Sequence, residues 1–128
     1  MRFLFDSSAW VEYLLGSSKG EEVFKILKQN KNEIYSIPII ISEVVSRAKR
    51  EKQNADISFR AITMNSKVLE VSPEIAKEAG LLHAEMKKKK RDFGLIDAII
   101  WVVAKKLNAK LVTCDFHFRA FKNVVLLK

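Results

Sequence analysis

Cysteine, glycine and proline are all scarce in this sequence of 128 residues. The chain has one cysteine, Cys114, and two histidines, so it cannot form an internal disulfide and lacks the ligands of a usual Cys and His zinc site. Its four glycines never occur as Gly-x-Gly, which excludes the glycine fingerprint of a dinucleotide-binding loop. A single cysteine is typical of the reducing cytoplasm, where we expect this protein to be found.

Long hydrophobic runs are also missing. The most apolar stretch, residues 95–104, contains Asp97 and is about half as long as the ~20 residues that a membrane helix needs. The apolar N-terminal residues are interrupted by Asp6 and Glu12, too early for a signal peptide. We therefore expect a soluble protein with no membrane partner. No linker rich in proline or glycine is present, and the length suits a single domain over residues 1–128.

Basic residues outnumber acidic ones. Lys and Arg total 23 against 15 Asp and Glu, which gives a formal net charge of +8. Such an excess favours a polyanionic partner, either RNA, DNA or an acidic protein, and charge alone does not distinguish them. Five consecutive residues are candidates for binding an RNA backbone: Lys87, Lys88, Lys89, Lys90 and Arg91. The alternative is a solubilising surface, because lysines are common at the ends of helices.

Apolar residues at spacings of three and four predict helices. Ser72 and Pro73 supply an N-cap and a first-turn proline for a helix with one buried face, made of Ile75, Ala79, Leu82 and Met86. A second apolar arc begins around Pro38, with Glu43 on its flank, and consists of Ile37, Ile40, Ile41, Val44, Val45 and Ala48.

Segments rich in Val, Ile, Leu and aromatic residues alternate with these helices. They predict five strands, at residues 2–5, 33–36, 67–71, 110–113 and 124–127. Strands that alternate with helices form a parallel sheet with helices on both faces, so the expected fold class is α/β.

Two aspartates directly follow predicted strands. Asp6 follows the first strand and Asp115 the fourth. Open α/β sheets bind ligands at the carboxyl ends of their strands, where the strand order reverses, so both acids are candidates for one crevice. Each aspartate could instead be only an N-cap for the segment that follows it.

Asp97 lies in a segment that is apolar around nearly its whole circumference. A helix of this kind is buried. A carboxylate left unpaired there would cost several kcal/mol, on the order set by ion desolvation, so it must meet a cation, bind a metal or reach the edge of the sheet. Its place in the first helical turn is a partial alternative explanation, because the helix dipole favours an acid there.

Glu43 carries the weakest signal of the four acids, because a glutamate on the flank of a helix is usually solvated. A converging cluster of Asp6, Glu43, Asp97 and Asp115 without a cation would raise its own pKa values by mutual repulsion. Such a cluster therefore implies a bound divalent cation, and ligands that are all oxygen favour Mg²⁺ or Mn²⁺.

Five segments, in order along the chain, resemble the PIN-domain family and in particular its small VapC-type toxins. Residues 5–12 (Phe-Asp-Ser-Ser-Ala-Trp-Val-Glu) resemble the opening strand and its Asp-x-Ser turn, and residues 39–44 the helix that bears the second acid. Residues 95–100 are similar to the Leu-x-Asp-Ala-x-Ile pattern. Residues 111–118 match a strand that ends in Thr-x-Asp-x-x-Phe, and residues 124–126 match the short closing strand.

The resemblance implies a three-layer PIN-like fold with a five-stranded parallel sheet of order 3-2-1-4-5, which sets Asp6 and Asp115 side by side. It also implies that Ser8 and Thr113 support the acids through hydroxyl hydrogen bonds, although both also suit ordinary turn and strand-end positions. The implied activity is hydrolysis of RNA to 5′-phosphate products by a metal-dependent endoribonuclease. In such a reaction the metal lowers the pKa of a bound water and neutralises charge on the departing 3′-oxygen.

Two further residues near the acids are weaker candidates for a role in the site. His117, two residues beyond Asp115, could bind substrate, but a structural role is the favoured interpretation. Asp92 adjoins the basic run, which favours a surface charge.

The resemblance to VapC-type toxins further implies a homodimer that is inhibited by a small VapB-like antitoxin. Two alternatives share the fold: a noncatalytic RNA-binding PIN protein and a housekeeping nuclease that processes ribosomal or transfer RNA. A haloacid-dehalogenase-like phosphatase is disfavoured because the position two residues after Asp6 is Ser8 rather than a second aspartate. A response-regulator receiver is disfavoured because Val71, Ser72 and Pro73 offer no phosphoacceptor after the third strand.

Overall fold

A parallel sheet forms the centre of the computed structural model, which describes residues 1–90 and 92–128. Its five strands are β1 (Arg2–Phe5), β2 (Glu33–Ser36), β3 (Lys67–Val68), β4 (Lys110–Thr113) and β5 (Val124–Leu126). They lie in the order β3-β2-β1-β4-β5, which confirms the predicted fold class and strand order. In the central strand, Leu4 lies opposite Tyr35 of β2 on one side and Leu111 of β4 on the other.

In the described residues, six helices and one short 3₁₀ turn connect the strands. They are α1 (Ser7–Leu15), α2 (Ser18–Leu27), α3 (Pro38–Arg50), α4 (Ala55–Asn65), α5 (Pro73–Lys87), α6 (Leu95–Leu107) and the 3₁₀ turn Phe116–Phe118. Helices α1 to α4 pack with one another, and α5 packs with α6. Helices α1 to α4 connect β1 to β2 and β2 to β3, on one side of β1, whereas α5 and α6 cross back to β4 on the other side. Because right-handed crossovers run in opposite directions here, the two groups of helices lie on opposite faces of the sheet.

Two predicted strand boundaries are wrong. The third strand was expected over residues 67–71 but ends at Val68, because its partner β2 ends at Ser36 and the chain there turns into α3. The fifth strand ends at Leu126 rather than at Leu127. The amide of Leu127 still donates to the carbonyl of Thr113, at 2.8 Å, and its side chain is buried. The first, second and fourth strands have the predicted bounds.

The predicted helix caps and apolar faces appear with one exception. The hydroxyl of Ser72 accepts from the amide of Ile75 and caps α5, whose apolar face buries Ala79 completely. In α3 the buried residues are Ile40, Val44 and Ala48. The expectation that α6 is buried around its circumference is wrong at its start, where Leu95 is 50% exposed because the first turn borders an open cleft.

The core joins the central strands to α1. Phe5 and Trp10 are fully buried, and their rings meet edge to face with centroids 5.1 Å apart. The indole nitrogen of Trp10 donates to the hydroxyl of Ser36 at 3.0 Å, which ties α1 to the end of β2. Among the described helices, none is long and apolar enough to cross a membrane.

Helices α1 and α2 approach each other closely at Gly20. A Cβ atom at this position would lie 2.1 Å from the carbonyl oxygen of Glu12, so Gly20→Ala must push the two helices apart. We expect a loss of about 1–3 kcal/mol or more in the free energy of unfolding, as for other overpacked sites. Urea denaturation measures this loss.

The matched control is Gly80→Ala in α5, where an added Cβ meets no atom within 4 Å. Because alanine favours a helix interior by about 1 kcal/mol over glycine, this variant should be more stable than the wild type. Equal stability of the two variants would contradict the close approach at Gly20.

Candidate active site

Asp6 and Asp115 stand next to each other at the carboxyl edge of the sheet. They follow β1 and β4, which are neighbouring parallel strands with Phe5 opposite Val112. The amide of Asp6 donates to the carbonyl of Val112 at 3.1 Å and extends this pairing by one residue. The two acids are therefore brought together by strand pairing, at the point where the strand order reverses.

The carboxylate of Asp6 is buried and accepts three hydrogen bonds. Its Oδ1 accepts from the hydroxyl of Ser8 at 2.6 Å and from the amide of Ala9 at 3.1 Å, and its Oδ2 accepts from the hydroxyl of Thr113 at 2.5 Å. Burial raises the pKa of Asp6 to about 6, with a further upward contribution from the charge of Asp115, although the hydrogen bonds lower it.

The hydroxyls of Ser8 and Thr113 each hold a second element of the site. Ser8 Oγ accepts from the amide of Cys114 at 2.9 Å, and Thr113 Oγ1 accepts from the amide of Asp115 at 2.9 Å. Each hydroxyl thus donates to Asp6 and accepts from the chain that follows β4. This arrangement fixes the position of Asp115 relative to Asp6.

Asp97 enters the site from the first turn of α6. Its Oδ2 accepts from the amide of Gly94 at 3.1 Å, so the residue also caps its own helix. Burial raises the pKa of Asp97, and the negative charge of Asp115 raises it further, while the Gly94 amide and the nearby His117 act in the opposite direction. The capping role explains one hydrogen bond of this carboxylate but leaves its proximity to Asp115 unexplained.

Glu43 approaches from α3 on the other side. Its side chain is half-buried, and burial raises its pKa. The side chain of Ser7 lowers the pKa of Glu43, and the charge of Asp97 raises it. Glu43 is therefore close enough to Asp97 for the two carboxylates to interact, although they lie 54 positions apart in the sequence.

One cleft of about 410 Å³ collects all four acids. The residues that line it are Asp6, Ser7, Ser8, Glu43, Gly94, Leu95, Ile96, Asp97, Ile100 and Asp115. In the part of the chain that the structure describes, this lining contains no lysine or arginine to balance the four carboxylates. Carboxylate oxygens at this density are the ligands that Mg²⁺ and Mn²⁺ take in proteins, so the residues present fit a divalent cation.

His117 and Asp92 also belong to this edge, although the sequence favoured a structural or surface role for both. The imidazole Nδ1 of His117 lies 3.1 Å from Asp115 Oδ1 and 3.7 Å from Asp97 Oδ2, and its Nε2 lies 3.0 Å from Asp92 Oδ2. Asp97, Asp115 and His117 each place one potential ligand atom within 4.8 Å of the others. The sequence favoured a structural role for His117, and its place two residues after Asp115 is the signal that could have indicated its position in the site.

The connection between α5 and α6 carries part of the basic run past the site. Lys88 and Lys89 are exposed, and Lys90 places its Nζ 5.8 Å from the centre of the Phe121 ring. Phe93 is fully buried and stacks on Phe121 with ring centroids 5.5 Å apart, which anchors the connection. Of the other residues in the run, Lys87 ends α5, and the prediction for Arg91 falls outside the described residues.

A second cleft of about 460 Å³ lies at the opposite, amino-terminal edge of the sheet. Its charged residues include Arg2 and Glu33, which pair with each other at 3.1 Å. Arg2 also donates to the carbonyl of Leu107 at 3.0 Å. The charges of this pair are matched, so the carboxylate cleft is the stronger candidate for catalysis despite its slightly smaller volume.

A three-layer α/β fold with converging acids at its switch point agrees with the comparisons. The PIN domain family matches residues 3–124, and the chain belongs to this family. Similar solved structures include a toxin–antitoxin complex from Klebsiella pneumoniae, with 24% identity, 98% of this chain and 97% of that chain covered, and a TM-score of 0.77.

Two further similar structures are of a VapC and a VapBC protein. One is VapC20 from Mycobacterium tuberculosis, a toxin that cleaves the sarcin–ricin loop, with 14% identity, coverage of 98% and 99%, and a TM-score of 0.75. The other is VapBC-1 from nontypeable Haemophilus influenzae, with 26% identity, coverage of 96% and 92%, and a TM-score of 0.65. No curated protein sequence matches the chain.

The raised pKa of Asp6 predicts a pH dependence of stability in the metal-free protein. The pKa of Asp6 is about 6 in the folded state and exceeds the ordinary value of 3.8. The contribution of protonated Asp6 to the free energy of unfolding is therefore fully present below about pH 4 and is lost as the pH rises through about 6. Asp6→Asn cannot ionise and should be more stable than the wild type above pH 7, by up to about 3 kcal/mol.

Urea denaturation at several pH values in the presence of EDTA checks this prediction. Asp56→Asn, at an exposed aspartate in the first turn of α4, is the matched control and should behave as the wild type. Wild-type stability that stays level from about pH 5 to 7.5 and equals that of Asp6→Asn would refute the assignment.

Proposed function

We propose that this chain is a metal-dependent endoribonuclease of the VapC type, the toxin of a toxin–antitoxin pair. The observation that carries the proposal is the convergence of Asp6, Glu43, Asp97 and Asp115 on one cleft whose described lining has no lysine or arginine. Burial raises the pKa of Asp6, Glu43 and Asp97, and the charge of a neighbouring acid raises each pKa further, so a divalent cation has a strong electrostatic reason to bind.

The choice of Mg²⁺ or Mn²⁺ follows from the carboxylate oxygens of these four acids. When bound, such a cation supplies the Lewis acidity that activates water and neutralises charge on a phosphodiester. The chain's own part is to hold the carboxylates in position. The Ser8 and Thr113 hydroxyls keep Asp6 and Asp115 in fixed positions, so little rearrangement is needed when substrate arrives.

RNA is the proposed substrate because the acidic cleft lies beside a basic segment on a chain of net charge +8. Gly94 lines the cleft, and Lys90 is four residues away, which limits their separation to about 15 Å. The phosphate backbone of a strand in the cleft can therefore contact Lys88, Lys89 and Lys90.

The structural neighbours support the assignment to the VapC type and the proposed partners of the chain. Two of these are toxin–antitoxin complexes, and they match almost the whole of this chain. We propose that residues 1–128 form one PIN domain, that two copies form a homodimer in the cytoplasm, and that a VapB-like antitoxin inhibits it. A basic protein with an acidic cleft also suits an antitoxin that carries charges of both signs.

Cleavage of end-labelled RNA tests the proposed activity. Structured and unstructured RNAs should be cut in Mg²⁺ or Mn²⁺ by chain purified without an antitoxin, and EDTA should abolish cutting. Asp97→Asn should lower the rate on the order of 100-fold or more, as when an electrostatic group at the reacting centre is removed. Asp56→Asn, the exposed first-turn aspartate of α4, should keep the wild-type rate.

Failure of the wild type to cut any of these RNAs, with measurable binding of metal and RNA, would favour the noncatalytic RNA-binding alternative. Equal rates for Asp97→Asn and the wild type would show that the observed cutting comes from a contaminating nuclease.

Neutralising the described part of the basic run should weaken RNA binding. We expect the triple alanine variant of Lys88, Lys89 and Lys90 to bind single-stranded RNA less tightly. The slope of log K against log salt concentration should fall by up to about 2 units, at ~0.7 for each lost phosphate contact. Fluorescence anisotropy at several salt concentrations measures both effects.

The charge-matched control removes three lysines on the opposite side of the sheet. They lie at the end of α2 and before β2, where all three are exposed: Lys25, Lys28 and Lys31. If this control lowers the salt slope as much as the first variant does, binding depends on net charge and the basic run has no special role.

A further inference from the structure

We propose that His117 is a metal ligand of this site, with Nδ1 binding the cation that Asp97 and Asp115 hold and with Asp92 orienting the imidazole from behind. This inference rests on the divalent-cation site of the proposed function. It goes beyond that proposal by adding a nitrogen ligand to the four carboxylates and by giving the exposed Asp92 a role.

The separations between the potential ligand atoms suit a shared cation. Nδ1 of His117 lies 3.1 Å from Asp115 Oδ1 and 3.7 Å from Asp97 Oδ2. Ligands about 2.1 Å from one cation lie about 3.0 Å apart at right angles and about 3.4 Å apart at a tetrahedral angle. The observed values lie close to these two separations, so only a small adjustment is needed to bring all three atoms onto one ion.

Among the described residues, the Nδ1 atom of His117 has no hydrogen-bond partner. It is buried and makes no hydrogen bond with any of the described residues, even though Asp115 Oδ1 is only 3.1 Å away. The short distance therefore does not have the alignment of a hydrogen bond. A buried nitrogen without a partner is costly, and a cation between Nδ1 and the two carboxylates satisfies all of them together.

Asp92 completes the arrangement on the other side of the ring. Its Oδ2 lies 3.0 Å from Nε2 of His117. Histidines that bind metals almost always donate their second ring nitrogen to a carboxylate or carbonyl oxygen, which fixes the tautomer and leaves the first nitrogen free for the metal. Phe93 follows Asp92 in the chain, and Phe118 follows His117. Both rings are buried and pack edge to face, with centroids 6.0 Å apart.

A nitrogen ligand changes which metal the site prefers. Imidazole binds transition metals in preference to Mg²⁺, which favours oxygen ligands. His117→Gln should therefore weaken Mn²⁺ binding more than Mg²⁺ binding. Asp92→Asn should weaken Mn²⁺ binding about 10- to 100-fold, as is usual when the carboxylate behind a metal-binding histidine is lost.

Electron spin-echo spectroscopy of Mn²⁺ bound to the full chain tests the inference directly. The wild type should show modulation from a directly bound imidazole ¹⁴N, and incorporation of ¹⁵N-histidine should replace it with the ¹⁵N pattern. His117→Gln should lose this modulation but still bind Mn²⁺. His83→Gln, which removes the other of the two histidines, should keep it.

The outcomes separate this inference from the proposed function. Bound Mn²⁺ without histidine modulation in the wild type overturns the ligand role of His117 and leaves the carboxylate ribonuclease untouched. Histidine modulation that persists in His117→Gln overturns it as well. Modulation that disappears only in His117→Gln supports the ligand role even if the chain cuts no RNA, in which case the proposed function alone fails.

Discussion

The buried carboxylate of Asp6 is the constraint on which the rest of the site depends. It lies where the two central strands meet, and removing an ion from water there is expensive. Ser8, Ala9 and Thr113 each donate a hydrogen bond to it, yet its pKa remains raised to about 6. The hydrogen bonds of the fold thus compensate the charge of Asp6 only in part, and a cation bound under the proposed function would supply the rest of the compensation.

At this edge, three of the carboxylates that we propose for the cation site also cap helical segments. Asp6 and Asp97 cap α1 and α6, and Asp115 accepts from the amide of His117 and caps the 3₁₀ turn. Each capping carboxylate lies at the first turn of its helical segment, and all three segments start at the carboxyl edge of the sheet. These three acids can therefore both cap helical segments and form the proposed site, because caps at one edge of the sheet place their carboxylates close together.

Much of the fold was predictable because its central strands are short, apolar and bounded by polar residues. The length of β3 was not predictable, since it depends on where its neighbour β2 ends. Strand order places Asp6 beside Asp115, but the approach of Glu43 depends on how α3 packs, which periodicity does not describe. The contact between Asp92 and His117 joins residues on two connections and follows no repeating pattern, so sequence reasoning assigned both to other roles.

Calorimetric titration of Mn²⁺ into the metal-free protein at neutral pH shows whether the four carboxylates form a divalent-cation site. We expect saturable binding that is lost in Asp97→Asn, since that variant removes one of the four clustered charges. A folded wild-type protein that takes up no Mn²⁺ at millimolar concentrations would contradict this expectation.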